Sequence, residues 1–189
     1  MRAGDPADSA IVILSGVVKI HKNAEAAEVV LALRGPSDLL GEISAVGDAP
    51  RSASVTALGP VEGVVISVSA LRAFLADHPR SALALLDLAL ARLAVSDTRR
   101  MEFATSESLA RVTSRLVELA ERFGAPRDNG EVEVELPITQ EELASWSASS
   151  RESTARALHT LRSLGLIETG RLSLVVRDLD GLSAHAARL

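Results

Sequence analysis

The sequence predicts an α+β chain: an antiparallel β-roll, then one long helix, then a helix-turn-helix with a β-hairpin wing. Three observations carry that prediction. Residues 11–68 hold short β-branched runs broken by glycine, proline and acidic residues, the pattern of short strands in a roll, sandwich or barrel. From Pro79 a segment rich in Ala, Leu and Arg runs without a breaker to about residue 104, longer than an ordinary surface helix. Beyond it, Thr139 and Ser150 each stand where a helix cap belongs, and strand-forming residues come after them.

Taken in order, the strand candidates are residues 11–14, 17–20, 29–33, 52–57 and 64–68, with Ser15-Gly16 and Gly35-Pro36-Ser37-Asp38 as turns between them. Residues 69–76 read as a short helix. Pro79 is suited to the first helical position of the long one. Within that helix Leu83, Leu86, Leu90 and Leu93 form a heptad-like seam that continues through Asp97 and Arg100. Two packings satisfy the seam: the helix lying on its own roll, or the helix pairing with a second copy of itself. The charges at its end need partners if buried. A further helix over 106–123 is stopped by Gly124 and Pro126, residues 124–131 read as a loop, and 131–136 alternate as a half-exposed strand does. The expected division is a roll over 1–78, a long helix and linker over 79–105, and a third unit over 106–189.

Thr139-Gln140-Glu141-Glu142 has the form of a capping box and opens a short helix carrying Leu143, Ala144 and Trp146. After Ser147-Ala148-Ser149, Ser150 caps a second helix reaching about residue 163. On that helix Thr154, Ala157, Leu158 and Leu161 share a face by helical spacing, which turns Arg151, Glu152, Ala155, Arg156 and His159 outward. Arginine pairs bidentately with guanine, and glutamate accepts from the cytosine amino group. Taken alone, Glu152 and Arg156 also make an ordinary surface i, i+4 pair. Residues 164–168 then end the helix, and 171–176 supply strand residues for a wing.

Composition limits the alternatives. In 189 residues, 47% of them hydrophobic, a proper core can be buried. No uncharged apolar run reaches the roughly 18 residues of a membrane span, and the start lacks the basic and apolar regions of a secretion signal, so a cytoplasmic location without membrane contact is expected. With no cysteine there are no disulfides, thiolate metal sites or thiol switches. His21, His78, His159 and His185 are scattered, with no nearby nucleophile or ligand spacing, so neither a catalytic nor a metal site is expected. The net charge of −5 excludes a protein that holds nucleic acid by bulk charge. Neither half is basic: residues 1–107 hold 10 Lys/Arg against 13 Asp/Glu, and the rest 10 against 12. Any DNA reading rests on where a few arginines sit.

Residues 138–144, 150–158 and 164–167, with Thr139-Gln140-Glu141-Glu142-Leu143-Ala144, Ser150-Arg151-Glu152-Ser153-Thr154-Ala155-Arg156 and Leu164-Gly165-Leu166-Ile167, resemble the helix-turn-helix of the Crp/Fnr family of transcription regulators almost position for position. In that family the Ser-Arg-Glu segment and the arginine after it enter the major groove. The resemblance implies Arg151, Glu152 and Arg156 as base readers and Ser150 with Thr139 as phosphate contacts, with Gln140 and Ser153 in the same DNA-binding set. It also implies a homodimer on a palindromic double-stranded site, and RNA polymerase as a partner.

Gly41-Glu42-Ile43-Ser44 and Pro50-Arg51-Ser52-Ala53-Ser54-Val55 in turn resemble the phosphate-binding cassette of cyclic-nucleotide-binding domains, and the segments 4–9 and 14–20 resemble that domain's early strands. The implied ligand is a cyclic nucleotide of the cyclic-AMP kind. Its site would comprise Gly41, Glu42, Ile43, Ser44, Arg51, Ser52 and Ala53, with Arg51 and Ser52 on the phosphate and Glu42 on the ribose hydroxyl. A short helix N-terminus and an arginine suit a singly charged phosphate. Arg51 is expected to stand open to it. Alternatively Glu42 and Arg51 pair with each other and brace a ligand-free roll, or the roll regulates a partner protein instead of DNA binding. The family's roll begins well before the Gly4-Asp5-Pro6 turn, so the resemblance implies an N-terminally incomplete roll, either truncated with an unpaired sheet edge or a shorter roll that is tolerated. It also sets Arg100 and Met101 at the positions that read the base.

Overall fold

The computed structural model describes residues 1–24, 27–135, 137–170 and 173–189. It divides into two compact units, 1–100 and 101–189.

The first unit is built from β1 (Ser9–Ser15), β2 (Val18–Ala24), β3 (Ala27–Arg34), β4 (Leu39–Leu40), α1 (Glu42–Gly47), β5 (Ser54–Ala57), β6 (Glu62–Ser67) and α2 (Val68–Asp77), and it contains most of α3 (Pro79–Thr105). Two antiparallel sheets form the roll, in the orders β4-β1-β6 and β3-β2-β5. The turn from β1 into β2 passes through Gly16 at φ +83°, where a Cβ would collide with the Pro60 carbonyl oxygen; only glycine meets both demands. Ile13, Val18 and Leu40 are buried between the sheets with Ile11, Ile20 and Val55 against them, and Ala10, Ala45 and Leu71 join α1 and α2 to the roll. The last expected strand residue, Val68, instead begins α2, because the Ser67 side chain caps that helix by accepting from the Ala70 amide. Among the described residues β6 pairs only with β1, and its Val64 and Val65 side chains are exposed.

No residue of α3 is buried. Leu83, Leu86, Leu90 and Leu93 are 53–62% exposed, which corrects the option that they lie on their own roll. At 100° per residue, Arg92 and Arg99 lie about 140° to 160° round the helix from the middle of the leucine seam. It is these arginines that meet the roll, Arg99 donating to the Leu31 carbonyl.

The second unit holds α4 (Ser108–Phe123), β7 (Ala125–Pro126), β8 (Val132–Val134), α5 (Gln140–Trp146), α6 (Arg151–Ser163), β9 (Ile167–Thr169), β10 (Leu174–Val176) and α7 (Leu179–Ala186). The small sheet runs β7-β8-β10-β9, all pairs antiparallel. Residues 125–126, expected in a loop, pair with β8. Of the strand expected over 131–136, β8 is the formed part and Leu136 lies outside the described residues. The wing hairpin is β9 and β10, while Arg171 and Leu172, expected in its second strand, lie outside the described residues. The C-terminal α7 is not anticipated by the sequence pattern; Asp178 caps it by accepting from Gly181, and Leu182 is fully buried. The core gathers Val112, Leu116 and Leu119 of α4 with Leu143, Trp146, Leu158, Leu161, Ile167 and Val176.

Candidate functional site

The cassette candidates lie where β4 runs into α1 and on the loop before β5. Gly41 holds φ +76°, and a Cβ there would collide with Arg51 Nη1, so the approach of the arginine requires glycine. Arg51 Nη2 donates to the Ser9 carbonyl at 2.6 Å and to Asp8 Oδ1 at 3.0 Å, and Nη1 to the Gly41 carbonyl at 3.2 Å. The side chain is only 4% exposed. The expectation that Arg51 stands open is therefore corrected: it braces the Gly4–Ser9 turn against α1, helped by its own amide donating to Asp5. The Asp8 carboxyl is held below its usual range by the Ser9 hydroxyl first, then by its own amide and the Arg51 guanidinium.

Glu42 is buried, but its partner is not Arg51. Arg92 of α3 donates to Glu42 Oε1 at 2.5 Å, to Asp38 Oδ1 at 3.3 Å and to the Leu39 carbonyl at 3.0 Å. The alternative of a Glu42–Arg51 brace is thus corrected to two separate pairs, Arg51 with Asp8 and Arg92 with Glu42. Ser44 is buried and donates to the Pro50 carbonyl at 3.1 Å, Ile43 and Ser52 are exposed, and Ala53 is half-buried. Arg100 pairs with Asp97 of its own helix and is exposed, as is Met101; among the described residues α3 reaches the cassette through Arg92. Sequence reasoning misses that residue, and its signal is an arginine, like Arg99, on the face of a helix opposite its leucines.

The second candidate surface is formed by α5 and α6. Thr139 and Glu142 close a reciprocal capping box, the Thr139 hydroxyl accepting from the Glu142 amide at 3.1 Å and Glu142 accepting from the Thr139 amide at 2.8 Å. Ser150 accepts from the Ser153 amide at 3.0 Å. Thr154, Ala157, Leu158 and Leu161 are buried under α6, and the opposite face is open. Thr139, Gln140, Ser150, Arg151, Glu152 and Arg156 are all exposed, and Ser153 is half-buried. Arg151 bonds to Glu141 in the first turn of α5, which brings the starts of the two helices to one surface; Arg156 bonds to Glu152 and donates to the Ser153 hydroxyl at 3.0 Å. Beneath, Arg115 of α4 is buried, pairs with Glu102 at 2.7 Å and Glu118 at 3.1 Å, and lies over the Trp146 ring. An exposed helix start offering arginine, glutamate and hydroxyl groups, set on a rigid core, can contact both base edges and phosphates.

An exposed helix face in one unit and a cassette-like segment on a roll in the other match the make-up of a DNA-binding regulator with a ligand-binding domain. Residues 1–78 match the model of the cyclic nucleotide-binding domain and residues 110–185 that of the Crp-like helix-turn-helix domain. A CRP-like cAMP-activated global transcriptional regulator of Mycobacterium tuberculosis is 33% identical over 184 residues, covering 97% of this chain and 82% of that protein. FixK2 from Bradyrhizobium japonicum shares the fold with a TM-score of 0.83 at 18% identity, covering 97% of this chain and 89% of that one. A transcriptional regulator of the CRP family from Thermus thermophilus does so with a TM-score of 0.79 at 24% identity, covering 98% and 91%. The chain belongs to the Crp/Fnr family of transcription regulators.

Proposed function

We propose that the protein works in the cytoplasm as a homodimer that reads a palindromic DNA site through α6, under control of a cyclic nucleotide in the roll, and acts on RNA polymerase. Its division of labour follows the expected segments: roll 1–78, dimerisation helix 79–105, reader 106–189. The observation that carries the reading is the open face of α6, with Ser150, Arg151, Glu152 and Arg156 exposed above the buried Thr154, Ala157, Leu158 and Leu161. Arg151, Glu152 and Arg156 read base edges; Thr139 and Ser150 contact phosphates, with Gln140 and Ser153 in the same DNA-binding set. A two-fold dimer sets half-sites about one helical turn apart. The experiment is selection from a random duplex pool: a recovered palindrome supports the reading, and a pool that stays unselected overturns it.

The cassette fits a cyclic nucleotide, provided one exchange takes place. Asp8, 86% exposed, is the displaceable partner of Arg51, and an anionic phosphate replaces it without disturbing the two carbonyl bonds. Glu42 gives one oxygen to Arg92, and a carboxylate has acceptor capacity left for a ribose hydroxyl. A second reading, in which the cassette is only a brace, is favoured by the same internal pairs. Calorimetry with cyclic AMP, cyclic GMP and cyclic di-GMP separates them: saturable one-site binding supports the sensor, and no heat with any of the three supports the brace.

A further inference from the structure

Arg111, in the first turn of α4, bonds to backbone on two sides. Nε donates to the Ser147 carbonyl at 2.9 Å and Nη2 to the Ala148 carbonyl at 3.0 Å, both in the turn between α5 and α6. Nη1 donates to the Ser106 carbonyl, in the break between α3 and α4. The guanidinium lies 5.6 Å from the centre of the Phe103 ring, on the last turns of α3. Ala148 holds φ +48°, a left-handed conformation that a residue with a Cβ keeps only when its surroundings enforce it. A planar guanidinium with five donors in fixed directions serves three carbonyls at once, which the single ammonium of a lysine does not.

We propose that Arg111 is a positioning residue for DNA reading: its guanidinium holds the α5–α6 turn and ties it to the α3–α4 break, so that α6 is aimed by the end of the long helix. Arg111 touches no base in this scheme. It acts through the turn, and Arg115 supports it one helical turn further on by joining Glu102 of α3 to Trp146 of α5. The proposal rests on the assignment of α6 as the reading helix.

The test uses the whole protein with Arg111→Gln and Arg111→Lys. The probes are a duplex that the wild type recovers from a random pool and the unselected pool itself, at one salt concentration, with thermal unfolding followed alongside. In the expected result Arg111→Gln stays folded, binds the unselected pool within about two-fold of wild type, and loses about ten-fold on the selected duplex. Arg111→Lys falls between. Adding Ala148→Gly to Arg111→Gln recovers part of the loss, because glycine holds the turn without the clamp. Equal weakening on both probes, or wild-type affinity for the selected duplex, overturns the proposal. Should Arg111→Gln unfold, Arg111→Lys decides on the same criterion. A wild type that recovers no duplex refutes the reading helix itself, and that control is distinct from any result with the variants.

Discussion

Arg51 donates to two backbone carbonyls and one carboxylate from a site almost closed to solvent, so its loss has two consequences. Arg51→Ala removes one donor from each of the Ser9 and Gly41 carbonyls, the latter keeping the Ala45 amide, and is expected to cost about 1 to 3 kcal/mol in urea unfolding, besides abolishing cyclic-nucleotide binding in calorimetry. Asp8→Asn isolates the second effect. It removes the charge that competes with a phosphate while leaving the carbonyl bonds in place, and it is expected to tighten binding; unchanged or weaker binding would refute the exchange. On the reading face, Arg156→Ala should cost about 1 to 3 kcal/mol at the selected site and relax preference at one base pair. Ser150→Ala should weaken all sequences together. Repeating the pool selection with each variant distinguishes the two patterns, and an even loss for Arg156→Ala would remove it from base reading.

At the level of elements, the long helix has two working faces. The leucines lie open while Arg92 and Arg99 hold the roll, so replacing Leu86 and Leu90 together with Glu is expected to leave the helix's bonds to the roll in place. It would bury like charges between two copies, and sedimentation should show folded monomer; an unchanged dimer places the interface elsewhere. The seam is legible in the sequence but not which side meets the roll, because leucine spacing reports a stripe and says nothing of what covers it. Helix starts are legible where a side chain closes the cap locally, as at Thr139 and Ser150. Ser67 and Asp178 cap their helices by the same local bond, but no reciprocal acid or flanking turn marks them in the sequence. The cassette residues are legible as types, yet their partners are not: Arg51 to Asp8 and Arg92 to Glu42 join positions 43 and 50 residues apart, and separation of that order leaves no periodic trace. Arg111 is invisible too, since its shortest bonds go to main-chain carbonyls, which every residue carries.

Across the whole molecule the charge is −5, and the reading face repeats that balance in miniature, with Arg151 on Glu141 and Arg156 on Glu152. Non-specific DNA binding comes from phosphate neutralisation, so carboxylates beside these arginines are expected to oppose it. Glu141→Gln is accordingly expected to strengthen binding to unselected duplex and to steepen its salt dependence, measured by titration over a range of salt; no change in either would show that the pair does not oppose phosphate contact. In the proposed reading each carboxylate holds its arginine until a base edge or phosphate takes the place. A chromosome offers about a million to a billion competing sites, and a regulator that adheres weakly to all of them is not soaked up by them. Its free concentration then tracks the number of molecules made, and few copies per cell suffice to fill a small set of promoters.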